Sequence, residues 1–116
     1  MKLPWWFPFG RVPEIAAHEL NDRISKKPAP HLLDVRSAAE FAAGHIRGAV
    51  NVPITALVSG LEALALDRAR PVVAICLSAH RSPPAVRLLR ERGFDAVQLA
   101  GGMLAWRAAR LPESRR

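Results

Sequence analysis

Apolar positions recur along this chain in short blocks whose spacing alternates between helical and extended. Ala16, Leu20 and Ile24 fall four apart, which predicts a helix with one apolar face, ended by Lys26-Lys27-Pro28-Ala29-Pro30. His31–Val35 is a short apolar run that closes on polar groups, as expected of a buried strand whose carboxyl end faces a site. Ser37 stands where it can cap a short helix, Ala38–Ala43, with Gly44 as its stop. Val50–Val52 predicts another strand, closed by Pro53, and the apolar spacing of Ile54–Leu66 predicts a helix running through Gly60. Val72–Cys76, rich in β-branched residues, predicts a central buried strand, with Leu77–Arg81 as the loop after it. Ser82-Pro83-Pro84 opens a helix to about Arg92, which Gly93 stops. Ala96–Leu99 then predicts the last strand and Met103–Ala109 the last helix.

Strands separated by helical segments imply parallel pairing through crossovers. The predicted fold class is therefore α/β: an open, mainly parallel sheet with helices on both faces. In such sheets ligands bind beyond the carboxyl ends of the strands, near a helix N-terminus. Cys76 occupies such a place.

Composition narrows the picture. The chain has 116 residues, 50% of them hydrophobic and 23% charged, which suits one globular domain and excludes wholesale disorder. Residues 1–10, MKLPWWFPFG, form an arm with Trp5, Trp6, Phe7 and Phe9, and residues 11–116 form the domain. The arm is expected to pack on its own domain or lack order; docking on a partner or at a membrane interface is the alternative. No apolar stretch approaches the roughly 20 residues of a membrane span. The opening residues lack the pattern of a secretory signal, so a cytoplasmic location is expected. One cysteine excludes an internal disulfide, and the four scattered histidines suggest no metal site. The net charge of +7 comes from arginines spread along the chain, which reads as a solvated basic surface and not as a nucleic-acid site.

The candidate chemistry lies in Cys76-Leu77-Ser78-Ala79-His80-Arg81-Ser82, which joins a buried strand to a helix within a few residues. Successive backbone N–H groups can converge there as an anion cradle. Ser82 suits the N-cap and Pro83 the first helical position, leaving the donors of residues 77–82 free. The helix dipole, Arg81 and a protonated His80 would all favour thiolate over thiol at Cys76. The competing reading is a small hydrophobe ending a core strand; the polar, basic turn that follows argues for the reactive thiol.

The Cys-x4-Arg-Ser run at Cys76–Ser82 resembles the active-site loop of rhodanese-like domains. Three further stretches agree in the family's order: Leu33-Asp34-Val35-Arg36 with Glu40-Phe41, Gly44–Pro53 (GHIRGAVNVP), and Leu99–Trp106 (LAGGMLAW). The resemblance covers about Val12 to Leu111. It implies transfer of sulfane sulfur from a donor anion such as thiosulfate, or from a persulfide, to a thiol, cyanide or protein acceptor, through a persulfide on Cys76 and without a cofactor. Residues 77–82 would form the substrate-binding loop. Two positions depart from the family pattern. Leu77 stands where a basic or polar residue is frequent, which removes an anion contact. Ala79 stands where glycine is frequent, at a cost of roughly 1 kcal/mol if a left-handed backbone is required.

The remaining roles divide. Arg81 either stabilises the anion directly or turns to a carboxylate, Asp34 or Glu40, and fixes the loop. His80 either orients a donor or faces solvent, and Ser78 either donates to the sulfur or bonds its own turn. Asp34, Arg36, Glu40 and His45 read as structural, with Arg36 and Glu40 spaced i,i+4 for an ion pair. Phe41, Phe94 and Trp106 read as core. The alternative function is a sulfur-delivery or protein-binding module with little turnover. A cysteine phosphatase fits less well, because such enzymes place five residues between cysteine and arginine, and Cys76 and Arg81 enclose four.

Overall fold

The computed structural model of the protein describes residues 12–78 and 81–116. Five strands pair in parallel: β1 (Glu14–Ile15), β2 (His31–Asp34), β3 (Val50–Asn51), β4 (Val72–Ile75) and β5 (Ala96–Leu99), in the spatial order β1-β5-β4-β2-β3. The α-helices are α1 (Ala17–Ile24), α2 (Ala38–Ala43), α3 (Leu57–Gly60), α4 (Ser82–Glu91) and α5 (Gly102–Ala108). The expected open parallel sheet is observed. Expectations about residues 1–10 and the start of the domain at Arg11 lie outside the described residues. Among those described, no helix is long and apolar enough to cross a membrane.

The alternation of side chains in a strand divides the interior into two layers. Val72, Ala74 and Cys76 project with Leu33 and Val35 toward α3 and α4, where Leu57, Leu61, Ala85, Val86 and Leu89 cover them. Val73 and Ile75 project with Leu32 to the opposite side, under Ala17 and Leu20 of α1 and Met103 and Trp106 of α5. Every residue of β4 is buried, as the continuous apolar run predicts for a strand covered on both faces. Phe94 and Trp106 are core; Phe41 is half-buried and stacks on His45 at 3.7 Å.

Local codes set several boundaries. Ser37 accepts from the N–H of Glu40 while the Glu40 carboxylate accepts from the N–H of Ser37, a reciprocal capping box that starts α2 at the expected residue. Elsewhere the expectations need correction. Ile54–Leu66 is not one helix: a 3₁₀ turn (Ile54–Ala56), the single α-turn of α3 and a second 3₁₀ turn (Glu62–Leu64) succeed one another. Ala65, left-handed at φ 49°, ends the series. Mixed i+3 and i+4 turns keep the same apolar residues inward, so spacing alone does not separate them from a regular helix. Strand β1 was not expected at all. It has two residues at the sheet edge, too few to show alternation.

Beneath the carboxyl ends of the strands lies a buried ion pair. The Arg36 guanidinium donates to both Asp34 oxygens, at 2.8–3.2 Å, and to the carbonyl of Gly44 at 2.8 Å. The side chains are 1% and 0% exposed. This corrects the expected Arg36–Glu40 pair, since the side chain turns inward from the end of β2 and not along α2. Removing one member would strand a buried charge. Arg36→Met is therefore expected to destabilise the fold by about 3–5 kcal/mol. Chemical denaturation should show the double variant Arg36→Met with Asp34→Asn recovering part of that loss.

Candidate active site

Cys76 follows β4 directly, and its side chain is 1% exposed. The chain then turns, and α4 begins at Ser82, so that backbone donors face back onto the sulfur. Burial pushes the Cys76 thiol up. Hydrogen bonds from the N–H of Arg81, the hydroxyl and N–H of Ser82 and the N–H of Ser78 outweigh that effect and leave it below its ordinary value. The protein thus replaces water around the sulfur with fixed dipoles, an arrangement suited to an anion.

Ser82 departs from its expected place. Arg81 is the N-cap of α4, and Ser82 and Pro83 are the first two helical residues. The Ser82 hydroxyl therefore does not cap the helix. It is buried, 3.7 Å from Cys76 Sγ and 2.7 Å from Gln98 Oε1. Ser78 contributes its backbone N–H to the sulfur. Leu77 packs into the apolar layer beside α1 and α5, which accounts for an apolar residue at this position. Ala79 and His80 lie outside the described residues. The loop thus brings Cys76, Ser78, Arg81 and Ser82 together.

Arg81 turns to a carboxylate. Its guanidinium makes a two-pronged contact with Glu40, at 2.5 and 2.9 Å, and so ties the loop to α2. The Arg81 guanidinium holds the Glu40 carboxyl down at about 2, against a partial opposing effect of burial, with the N–H and hydroxyl of Ser37 adding to the depression. His45 is structural. Its ring nitrogens lie 2.7 and 2.6 Å from the carbonyl oxygens of Phe41 and Arg116, and its backbone bridges Ser114. Among the described residues, no group of three or more His, Cys, Asp or Glu side chains is placed to hold a metal ion.

Two contributors were not singled out as site residues from the sequence. The first is the Gly101-Gly102 pair, present in the LAGGMLAW stretch but assigned no task there. The N–H groups of Met103 and Leu104 donate to the carbonyls of Cys76 and Leu77 at 2.8 and 3.0 Å. That approach is close enough that a Cβ on Gly102 would lie 2.4 Å from the Cys76 oxygen. The second is Gln98, a buried polar residue in an otherwise apolar strand, which is a visible signal in hindsight.

The chain is similar to known proteins in sequence and in fold. A family model described as Rhodanese-like domain matches residues 16–109. The chain is 33% identical over 102 residues to a sulfurtransferase of Allochromatium vinosum, covering 87% of this chain and 94% of that protein. It is 46% identical over 83 residues to an HTH-type transcriptional regulator of Mycobacterium tuberculosis, covering 70% of this chain and 36% of the regulator's length. The crystal structure of a rhodanese-related protein from Thermoplasma volcanium superimposes with a TM-score of 0.81 at 30% identity, over 90% of this chain and 99% of that one.

Two outcomes test the site's construction. Gly102→Ala, which meets backbone oxygens at a φ of 59°, is expected to cost about 2–4 kcal/mol and to be read as a lowered denaturation midpoint. Glu40→Gln removes the clamp on Arg81. Glu40 is depressed in the fold, so its contribution is present above the unfolded carboxyl value near 4.3 and is lost as pH falls through about 2. About a third of each side chain is exposed, so screening limits the contribution to about 1 kcal/mol at neutral pH. The stability gap between Glu40→Gln and the parent should shrink as pH falls from about 5 toward 2.

Proposed function

The chain belongs to the rhodanese-like domain family, and on that premise we propose that it is a sulfurtransferase working through a persulfide on Cys76. The observation that carries the reading is the convergence of the Ser78, Arg81 and Ser82 N–H groups on one buried sulfur. Similarity to a sulfurtransferase over nearly the whole of both chains supports a sulfur-transfer role.

In the first step the Cys76 thiolate attacks the outer sulfur of the donor. With thiosulfate, the new bond joins Sγ to that sulfur, the sulfur–sulfur bond of the donor breaks, and sulfite leaves with the bonding pair. Cys76 then carries a terminal anionic sulfur. In the second step a thiolate or cyanide attacks that sulfur and Sγ leaves as thiolate, giving a persulfide or thiocyanate and restoring the enzyme. No net oxidant is consumed. The loop amides serve each step by holding negative charge at the position where it resides.

The donor is an anion or persulfide small enough to reach a sulfur that is 1% exposed, so access requires the cover over Cys76 to shift. Leu77 faces the core and contributes no anion contact. The missing anion contact at Leu77 favours a persulfide donor over free thiosulfate. Intact mass spectrometry after exposure to thiosulfate, glutathione persulfide and inorganic polysulfide should show a one-sulfur adduct, absent in Cys76→Ser and removed by cyanide. Lack of the adduct with all three donors would refute the assignment.

A further inference from the structure

The register of the sheet places three residues in one row behind the active-site loop. Glu14 of β1 lies opposite Gln98 of β5, and Gln98 lies opposite Ala74 of β4. Residues in register share a face, and Ala74 projects with Cys76 toward α4. Gln98 is 7% exposed, and from this row it reaches the start of α4. Its Oε1 accepts from the Ser82 hydroxyl at 2.7 Å, and its Nε2 donates to Glu14 Oε2 at 3.1 Å. A carboxylate only accepts, so Glu14 determines which end of the Gln98 amide faces Ser82.

The Ser82 hydroxyl has a single hydrogen and, among the described residues, two acceptors within reach, Gln98 Oε1 at 2.7 Å and Cys76 Sγ at 3.7 Å. With Cys76 protonated, S–H donates to Ser82 Oγ, Ser82 O–H donates to Gln98, and every group is paired. With Cys76 ionised, turning the hydroxyl to sulfur leaves the buried Gln98 oxygen without its donor. Rotating the amide to compensate would set that oxygen against the Glu14 carboxylate. Either response has a cost. A persulfide avoids it, because the charge moves to the outer sulfur and Sγ no longer draws on the hydroxyl.

We propose that Gln98, oriented by Glu14, is a positioning residue that competes with Cys76 Sγ for the Ser82 hydroxyl, leaving the thiolate more basic than it would be without Gln98 and favouring the sulfur-loaded state over the free thiolate. The proposal rests on Cys76 being the nucleophile of the preceding section. Among the described residues, the other charged groups near the sulfur are paired. Arg81 is paired with Glu40 of α2, Asp34 is paired with Arg36 at the end of β2, and Arg107 of α5 acts on Asp34 while pairing with Glu113.

The chain has one cysteine and no tyrosine, so the ultraviolet absorbance of the thiolate titrates Cys76 alone. Gln98→Met and Glu14→Gln should each move the titration midpoint downward, Gln98→Met by about one pH unit, or tenfold in the thiolate-to-thiol ratio. In a Ser82→Ala background neither substitution should move it. A purely structural role for Gln98 would lower the melting temperature and leave the midpoint in place, which overturns the proposal. So does a shift that survives Ser82→Ala, which would mark a bare charge effect of Glu14. Glu14 is exposed, so Glu14→Gln remains a fair test should Gln98→Met not fold. The titration needs no sulfur donor, and its result therefore stands apart from whether Cys76 takes up sulfur.

Discussion

The approach of α5 to the residue after β4 is the constraint on which the site depends. The carbonyls of Cys76 and Leu77 point away from the sulfur because the N–H groups of Met103 and Leu104 hold them there. A peptide unit is rigid, so fixing a carbonyl on one side fixes the N–H that follows on the other. With its first carbonyls turned toward α5, the loop is free to present the amides of Ser78, Arg81 and Ser82 to Sγ. Only a residue without a Cβ permits this spacing, since a methyl group on Gly102 would overlap the oxygens of both Cys76 and Leu77. Gly102, at the start of the last helix, is thus part of the candidate loop in all but sequence position.

Two ion pairs complete the frame, and their division of labour follows from burial. Asp34–Arg36 is sealed beneath the strand ends and gains a further bond to Gly44, so its charges are fully paired where water does not reach. Glu40–Arg81 lies near the surface and joins the capped start of α2 to the loop. Arg81 therefore acts on the sulfur through its backbone N–H, while its side chain anchors the turn. Its charge still reaches Cys76, but through a partly neutralised pair.

Much of this fold was legible because local codes and long-range packing agree. The capping box of Ser37 and Glu40 sets α2 by contacts three residues apart, and Ala96–Leu99 forms the last strand at the expected bounds. Legibility fails where a distant partner decides. Ser82 has the chemistry of an N-cap, yet Gln98 and Cys76 claim its hydroxyl, and helix α4 starts one residue earlier as a result. Arg36 has the i,i+4 spacing to meet Glu40, yet the buried Asp34 is the stronger claimant and Arg81 takes Glu40. The Gln98–Glu14 contact spans 84 positions in the chain and joins β5 to a two-residue strand, so no window of sequence displays it.

Burial of Cys76 and reactivity of Cys76, which compete as readings of a lone cysteine, are compatible in this structure for a physical reason. The protonated thiol is apolar enough to end a strand covered on both faces, and it packs there with Val35, Ala85 and Val86. Ionisation in such a place would ordinarily be opposed by the loss of water. Here the loop amides stand where water would have been, already oriented, so the anion is held without reorganisation of its surroundings. A sulfur that is fully solvated would lack the cover that protects a persulfide from unintended acceptors, and a sulfur buried without donors would remain a thiol. The strand supplies the first condition and the turn into α4 supplies the second, and the proposed persulfide is placed at their junction because both are met there.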